Sequence, residues 1–269
     1  MSTFLCPYTG AKRESLTDGN ASNQRLGESV SFFIPKRRFD PDDPEIMDRQ
    51  GVDPVLLATG LEELRKINQK FGGWRAVRRG IRPLIDRVDP GKTIEILDLA
   101  TGSADYPVHL TGWMRHLGRN ARIEAVDNNP FMVATARGRA AAWPEIAIKE
   151  MDVLSPAYPD KSFDIVLASL ALHHFSLPDA IRILREMNRM SRVGFIVNEL
   201  DRSRFGAWAV WLYAHLLTTD AITRHDAYAS MLRGFTKNEM IVMSGEAGVR
   251  HFTVKRMPFF RLLLVGEHG

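Results

Sequence analysis

The spacing of hydrophobic positions changes along the chain. Leu56, Leu57, Leu61, Leu64 and Ile67 recur at three- and four-residue intervals after Glu45, which predicts a helix that Gly72-Gly73 ends. Trp74 to Val88 predicts a second helix, with Arg75, Arg78, Arg79 and Arg82 on a solvated basic face. Short β-branched runs then take over. Thr93–Ala100, Ala121–Asp127, Ser162–Leu172 and Gly194–Leu200 each predict a buried strand, and HFTVKRMP and FFRLLLVGE near the end predict two more. Helical patterns over Tyr106–Leu117, Pro130–Ala142 and Leu177–Ser191 lie between them. Strands alternating with helices form βαβ units with right-handed crossovers, so the expected fold class is α/β, a doubly wound and mostly parallel sheet. The closeness of the last two runs predicts an antiparallel hairpin at one edge.

Two segments depart from this alternation. Residues 1–44 are rich in Ser, Gly, Asn and charge and carry Pro35, Pro41 and Pro44, which predicts an extended, partly disordered arm. Phe205–Leu217 is apolar nearly all round and too short to cross a bilayer. It is expected to be a helical lid inserted near residues 202–235, with a buried core helix or a dimer contact as alternatives. The expected division is an arm over 1–44, a helical cap over 45–92 and a core over 93–269.

Composition narrows the function classes. The 269 residues are 45% hydrophobic and 25% charged, as in an ordinary globular protein. A net charge of +4 is too small to mark a nucleic-acid binder. The single cysteine, Cys6, excludes an internal disulfide and a multi-cysteine metal site, and no metal is expected. No run is long enough to span a membrane and the start lacks an apolar signal core, so a cytoplasmic location is expected.

The chemistry gathers at predicted strand ends, where ligands of such sheets sit. The first strand ends in Asp98-Leu99-Ala100-Thr101-Gly102-Ser103-Ala104, a small-residue turn whose backbone N–H groups can approach a ligand. Alanine at 100 and 104 is expected to keep a negative φ and so displace the turn slightly. The second strand ends in Asp127, followed by Asn128, and an acid there is placed to accept from both hydroxyls of a ribose. Asp152, followed by Val153, is placed to accept from an adenine amino group. Met132 and Ala168 complete the candidate cofactor-binding set. Each acid alone fits a helix cap or turn; the ordered series carries the signal.

At these residues the sequence resembles the class I S-adenosylmethionine-dependent methyltransferases. Their D-x-G-x-G-x-G signature reads D-L-A-T-G-S-A here, with Asp98 and Gly102 kept. Glu45-Ile46-Met47-Asp48, Leu64-Arg65-Lys66-Ile67-Asn68 with Gly72-Gly73, and the stretch Pro258 to Gly266 look like a bacterial small-molecule subgroup. That subgroup is similar to quinone-biosynthesis and aromatic-polyketide-associated methyltransferases, and the likeness covers residues 45–266. It implies a seven-stranded Rossmann-like sheet, S-adenosyl-L-methionine as cofactor and a small-molecule acceptor.

The strand over Ser162–Leu172 bears on that acceptor. Nucleobase and amide methyltransferases typically carry N/D-P-P-Y/F there, whereas this chain has Ala168-Ser169-Leu170-Ala171-Leu172-His173-His174-Phe175. His174 is the first candidate base, as a neutral imidazole that takes a phenolic proton, followed by His173. The alternative is that His173 bonds a backbone carbonyl and shapes the loop. His225 is a third candidate; Asp226 beside it is not expected to orient its ring. A polar loop leading to a helix capped by Thr236 and Glu239 is the alternative there. Trp208, Trp211 and Tyr213 are candidate flat walls for an aromatic acceptor.

The function expected is methyl transfer to a small, largely apolar, phenolic acceptor, O-methylation ahead of C-methylation, in secondary metabolism. One rival is a non-catalytic S-adenosylmethionine-binding protein. A nicotinamide-dependent oxidoreductase would need G-x-G-x-x-G, which is absent, and a Tyr-x-x-x-Lys or comparable group, a spacing met only at Tyr8–Lys12 in the expected arm, outside the strand–helix alternation. An RNA methyltransferase is disfavoured by the modest charge. Expected partners are the acceptor alone, with no nucleic acid, in a monomer or homodimer.

Overall fold

The computed structural model of the chain describes residues 34–49, 51–218 and 220–269; Cys6 and most of the expected arm lie outside them. Seven strands form one sheet among the described residues: β1 (Ile94–Leu99), β2 (Ala121–Asp127), β3 (Ile146–Glu150), β4 (Phe163–Ser169), β5 (Ser191–Leu200), β6 (His251–Met257) and β7 (Arg261–Glu267). Their order is β3-β2-β1-β4-β5-β7-β6. β1 to β5 pair in parallel, while β7 runs antiparallel to both β5 and β6. The doubly wound α/β sheet with its edge hairpin is therefore present. The order turns back between β1 and β4, so the loops after those strands diverge and leave a crevice at the carboxyl edge.

β3 has no counterpart among the six strands read from the sequence. It is a five-residue edge strand, Ile-Ala-Ile-Lys-Glu, with only intermediate or exposed positions. Such a strand covers one face, and its apolar run is too short to stand out. The central strands differ because helices cover both their faces. Successive residues alternate between two cores: Leu97, Leu99, Val166, Phe195 and Val197 face one, and Ile94, Ile96, Ile165, Leu167 and Ile196 face the other.

The helices are α1 (Pro54–Lys70), α2 (Gly73–Ile85), α3 (Asp105–His116), α4 (Pro130–Ala140), α5 (Leu177–Met190), α6 (Arg204–Leu217), α7 (Ala221–Arg233) and α8 (Lys237–Glu246). Their starts are written locally. Asp53, Asn129, Ser176, Ser203 and Asp220 each accept a first-turn N–H, and Thr236 with Glu239 closes a full capping box. The Thr223–Tyr228 stretch, whose alternative reading was a polar loop, lies inside α7.

α1, α4 and α7 meet at Leu57, Leu61, Met132 and Ile222, together with Met47 from a single 3-10 turn at Ile46–Asp48. The described part of the expected arm is extended but anchored. Arg202 Nε donates to the Pro35 carbonyl at 2.9 Å, and Arg37 Nη2 donates to the Phe175 carbonyl at 2.8 Å.

Close packing fixes the register of the antiparallel edge. A Cβ on Gly194 would lie 2.3 Å from the Gly266 carbonyl oxygen and 2.9 Å from Leu84 Cδ2, whereas one on Gly138 in α4 meets nothing within 4 Å. Gly194→Ala is expected to lower stability by about 2–4 kcal/mol in urea unfolding. Gly138→Ala is expected to raise it by about 0.5–1 kcal/mol.

Candidate active site

The loop after β1 is strained where the expectation was a relaxed turn. Ala100 has φ 51° and Ala104 has φ 60°, on either side of Gly102 at φ 56°. Both alanines take the left-handed conformation, at a cost of about 1–3 kcal/mol each, so the turn keeps a glycine-like path instead of shifting. What holds it is Asp127. One carboxylate oxygen accepts the Gly102 N–H at 2.9 Å and the other the Asn129 N–H at 2.9 Å. Burial pushes the Asp127 pKa up, against those two donors. Asp98 lies beneath the loop and accepts the Thr101 hydroxyl at 2.6 Å. Burial pushes its pKa up to about 7; the Thr101 hydrogen bond opposes this and the charge on Asp127 adds to it.

The second wall is the 3-10 turn Leu172–His174 after β4, entered through Leu170 at φ 55°. Glu199, near the end of β5, grips this turn twice. It accepts the His173 N–H at 3.2 Å and faces His173 Nδ1 at 2.8 Å. Burial alone would raise the Glu199 pKa, but His173 and the Leu200 N–H hold it below the usual range. His173 thus bonds a buried carboxylate, not the backbone carbonyl of the alternative reading. His174 Nδ1 lies 2.8 Å from Asp48. Burial would lower the His174 pKa, but Asp48 and Glu45 raise it to about 10. The two carboxylates thus favour the protonated ring.

Glu45 and Asp48 flank the Ile46–Asp48 turn, and α7 fixes them there. Asp226 accepts the Ile46 and Met47 N–H groups at 2.8 and 3.0 Å. Ser230 donates to Glu45 at 2.8 Å, and Arg233 Nη1 lies 3.8 Å from the same oxygen. Burial raises the Glu45 pKa, with both histidines pulling the other way.

The two walls open into one cavity of about 350 Å³. Of the residues singled out in the sequence, Ala100, Thr101, Gly102, Asp127, Met132, His173, His174 and Tyr213 line it. Asp98, Asn128, Asp152, Val153 and Ala168 do not. Asp152 accepts the Leu154 N–H at 2.9 Å, and Val153 and Ala168 pack in the core.

Trp208, Trp211 and His225 are corrections. They line a separate surface groove with His215 and Tyr228, and the two tryptophans are 53% and 42% exposed. Helical geometry explains the split. Residues 208, 211 and 215 share one side of α6, which leaves Ala209, Val210 and Tyr213 for the cavity. His225 Nδ1 lies 2.8 Å from Asp226, so the adjacent carboxylate does orient this ring, but outside the cavity.

Sequence reasoning missed much of the remaining wall. Phe71, at the end of α1, packs edge-on to Tyr213 and Phe259, with ring centres 4.8 and 5.4 Å away. Arg261 is buried and donates to the Phe71 carbonyl and to Asn68 at 2.9 and 2.8 Å. Its Nη1 has no hydrogen-bond partner among the described residues. Glu45 and Asp48 were noticed only as family likeness, because nothing local ties them to residue 173.

Comparison with known proteins agrees with this geometry. Residues 96–194 match the family model described as a methyltransferase domain. The demethylmenaquinone methyltransferase of Lysinibacillus sphaericus is 26% identical over 117 residues, which is 44% of this chain and 47% of that protein. The chain thus spans about half the length of the curated relatives it matches. Among solved structures, an S-adenosylmethionine-dependent methyltransferase from Aquifex aeolicus has TM-score 0.54 at 13% identity, covering 80% of this chain and 97% of that one. The CMeT domain of the citrinin polyketide synthase has TM-score 0.59 at 16% identity, covering 82% and 61%. These two likenesses are of fold. Sheet order, strand-end carboxylate and glycine-like loop agree with the family match, so residues 96–194 form a methyltransferase domain, and the chain is similar in fold to S-adenosylmethionine-dependent methyltransferases.

Proposed function

We propose that this chain transfers a methyl group from S-adenosylmethionine to a small, largely apolar acceptor bearing a phenolic or quinol-type hydroxyl. The observation that carries the reading is that Asp127 with the loop around Gly102, and the His173–His174 turn, face the same cavity. The wall between them is mainly Leu61, Leu64, Ile67, Phe71, Val210 and Tyr213, which suits a ring better than a polar chain. The relatives named demethylmenaquinone methyltransferases favour a quinone-type ring. O-methylation at the hydroxyl is the first reading and C-methylation beside it the second. The polyketide-type resemblance of the sequence favours a role in secondary metabolism.

The residues present fit the cofactor. Arg261 lines the cavity, and its buried Nη1, with no hydrogen-bond partner among the described residues, suits a carboxylate. Asp127 would accept ribose hydroxyls, with Asp98 beneath the loop accepting the Thr101 hydroxyl. When bound, S-adenosylmethionine supplies a methyl carbon activated by its sulfonium. The protein's own task is alignment and dryness. Phe71, Tyr213 and Phe259 screen the mouth from water, and the loops after β1 and β4 hold the two reactants at one sheet edge. The acceptor's oxygen is directed toward the polar Glu45–His173–His174 end.

Turnover with isotopically labelled S-adenosylmethionine against a panel of phenols and hydroquinones tests the reading, and spectroscopy of the product separates O- from C-methylation. Binding of S-adenosylhomocysteine without turnover on any of them would favour the non-catalytic rival. Asp127→Asn is expected to weaken S-adenosylhomocysteine by about 10- to 100-fold in calorimetry, roughly 1.5–3 kcal/mol. Tyr213→Ala is expected to raise the acceptor KM several-fold with cofactor affinity kept, and Trp211→Ala to leave both near wild type.

A further expectation concerns pH. Asp98 has a folded pKa of about 7 against an ordinary 3.8. Its contribution to stability is fully present below the ordinary value and is lost as pH rises through about 7. Asp98→Asn cannot ionise, so its melting temperature relative to wild type should climb between pH 5 and pH 8.

A further inference from the structure

The acceptor end of the cavity carries a donor set that the reading above leaves unexplained. Glu45, His173 and His174 each offer one ligand atom, and these atoms lie within 4.8 Å of one another. Two turns far apart in sequence supply them, one before α1 and one after β4. His173 Nε2 is 3.8 Å from Glu45 Oε1. Two ligands each about 2.1 Å from a tetrahedral ion would sit roughly 3.4 Å apart, so the Glu45–His173 pair needs a few tenths of an ångström and no pair in the set more than about 1.4 Å.

Both imidazoles are held in the manner of metal ligands. His173 turns Nδ1 to Glu199 and His174 turns Nδ1 to Asp48, each at 2.8 Å. A carboxylate on one ring nitrogen fixes the ring's tautomer and orientation and strengthens the opposite nitrogen as a donor. The surroundings also call for positive charge. Glu45, Asp48, Glu199 and Asp226 are all nearly buried about these two turns, and the guanidinium closest to Glu45, that of Arg233, stands 3.8 Å from it. Carboxylates kept this far from water need cations as well as hydrogen bonds.

We propose that Glu45, His173 and His174 bind a divalent transition-metal ion, with coordination positions open toward the cavity. Two imidazoles and one carboxylate suit Zn²⁺ or Fe²⁺ better than Mg²⁺ or Ca²⁺. The ion replaces any proton on the ligating imidazole nitrogens, which leaves to solvent. Its use rests on the methyl-transfer reading: the acceptor's ring hydroxyl would take an open position as its anion, with the O–H proton also passing to solvent. The absence of metal expected from the cysteine count does not bear on this set, which needs no thiolate.

The test uses the full chain without an affinity tag, stripped with chelator and titrated with Co²⁺, whose visible absorption reports coordination. One equivalent of Co²⁺ per chain, displaced by Zn²⁺, is expected. Glu45→Gln and His173→Ala should each weaken Co²⁺ by tenfold or more, and Asp48→Asn by about 10- to 100-fold through His174. His225→Ala, in the outer groove, should leave it unchanged. Affinity for S-adenosylhomocysteine reports folding in every variant, and His173→Gln takes the place of His173→Ala if that variant unfolds.

No bound Co²⁺, or binding that survives in folded Glu45→Gln and His173 variants, overturns the site. Loss of methyl transfer with Co²⁺ binding intact would overturn the functional reading and leave the site standing.

Discussion

A carboxylate taken out of water must find N–H donors or cations, and that requirement organises the whole carboxyl edge of this sheet. Asp127 meets it with the N–H groups of Gly102 and Asn129, Glu199 with those of His173 and Leu200, and Asp226 with those of Ile46 and Met47. Each acid thereby ties a loop to a regular element. The three loops held in this way are the loop around Gly102, the Leu172–His174 turn and the turn carrying Glu45 and Asp48. Removing one of these acids would free a loop as well as delete a charge.

The same ties stabilise backbone that would otherwise relax. Ala100, Leu170, Phe259 and Phe260 all have positive φ and all line the cavity. Strain of this kind persists only where surrounding contacts over-determine the path. Here the anchors are the Asp127 bonds, the Leu170 N–H to Asn198 carbonyl bond at 2.7 Å, and the Asp201 N–H to Phe260 carbonyl bond at 2.8 Å. Four of the six non-glycine positions with positive φ among the described residues thus lie on the cavity wall.

The stretch from Ile34 to Pro44 belongs to this construction. Arg37 donates to the carbonyls of Phe175 and Arg233, with its guanidinium 4.2 Å over the Phe235 ring. Burial and the neighbouring Arg202 lower the Arg37 pKa to about 10. Arg202 in turn reaches Pro35, Gly234 and Glu239. These two guanidiniums bind the extended stretch to the back of the acceptor-side turn. A segment without helical or strand periodicity thus acquires a fixed course from side chains that meet it elsewhere in the fold.

Much of the architecture was legible because its signals are local. Apolar runs at Ile94–Leu99 and Phe163–Ser169, the Asn129-Pro130 start of α4 and the Thr236–Glu239 box depend on neighbours a few residues away. So does Asp127, at a strand end followed by a helix cap. The acceptor end was not legible, because its geometry depends on chain segments brought together from a distance. Which face of α6 meets the cavity was decided by packing against α7 and β5, since an all-round apolar helix has no pattern to choose Tyr213 over Trp211. The pairing of His173 with Glu199, and of His174 with Asp48, joins residues 26 and 126 positions apart, a link that only the folded sheet edge creates. The sequence by itself determined six of the seven strands, the helix caps and the strand-end acid Asp127; tertiary structure decided what the histidines face, because their carboxylate partners come from distant segments of the chain.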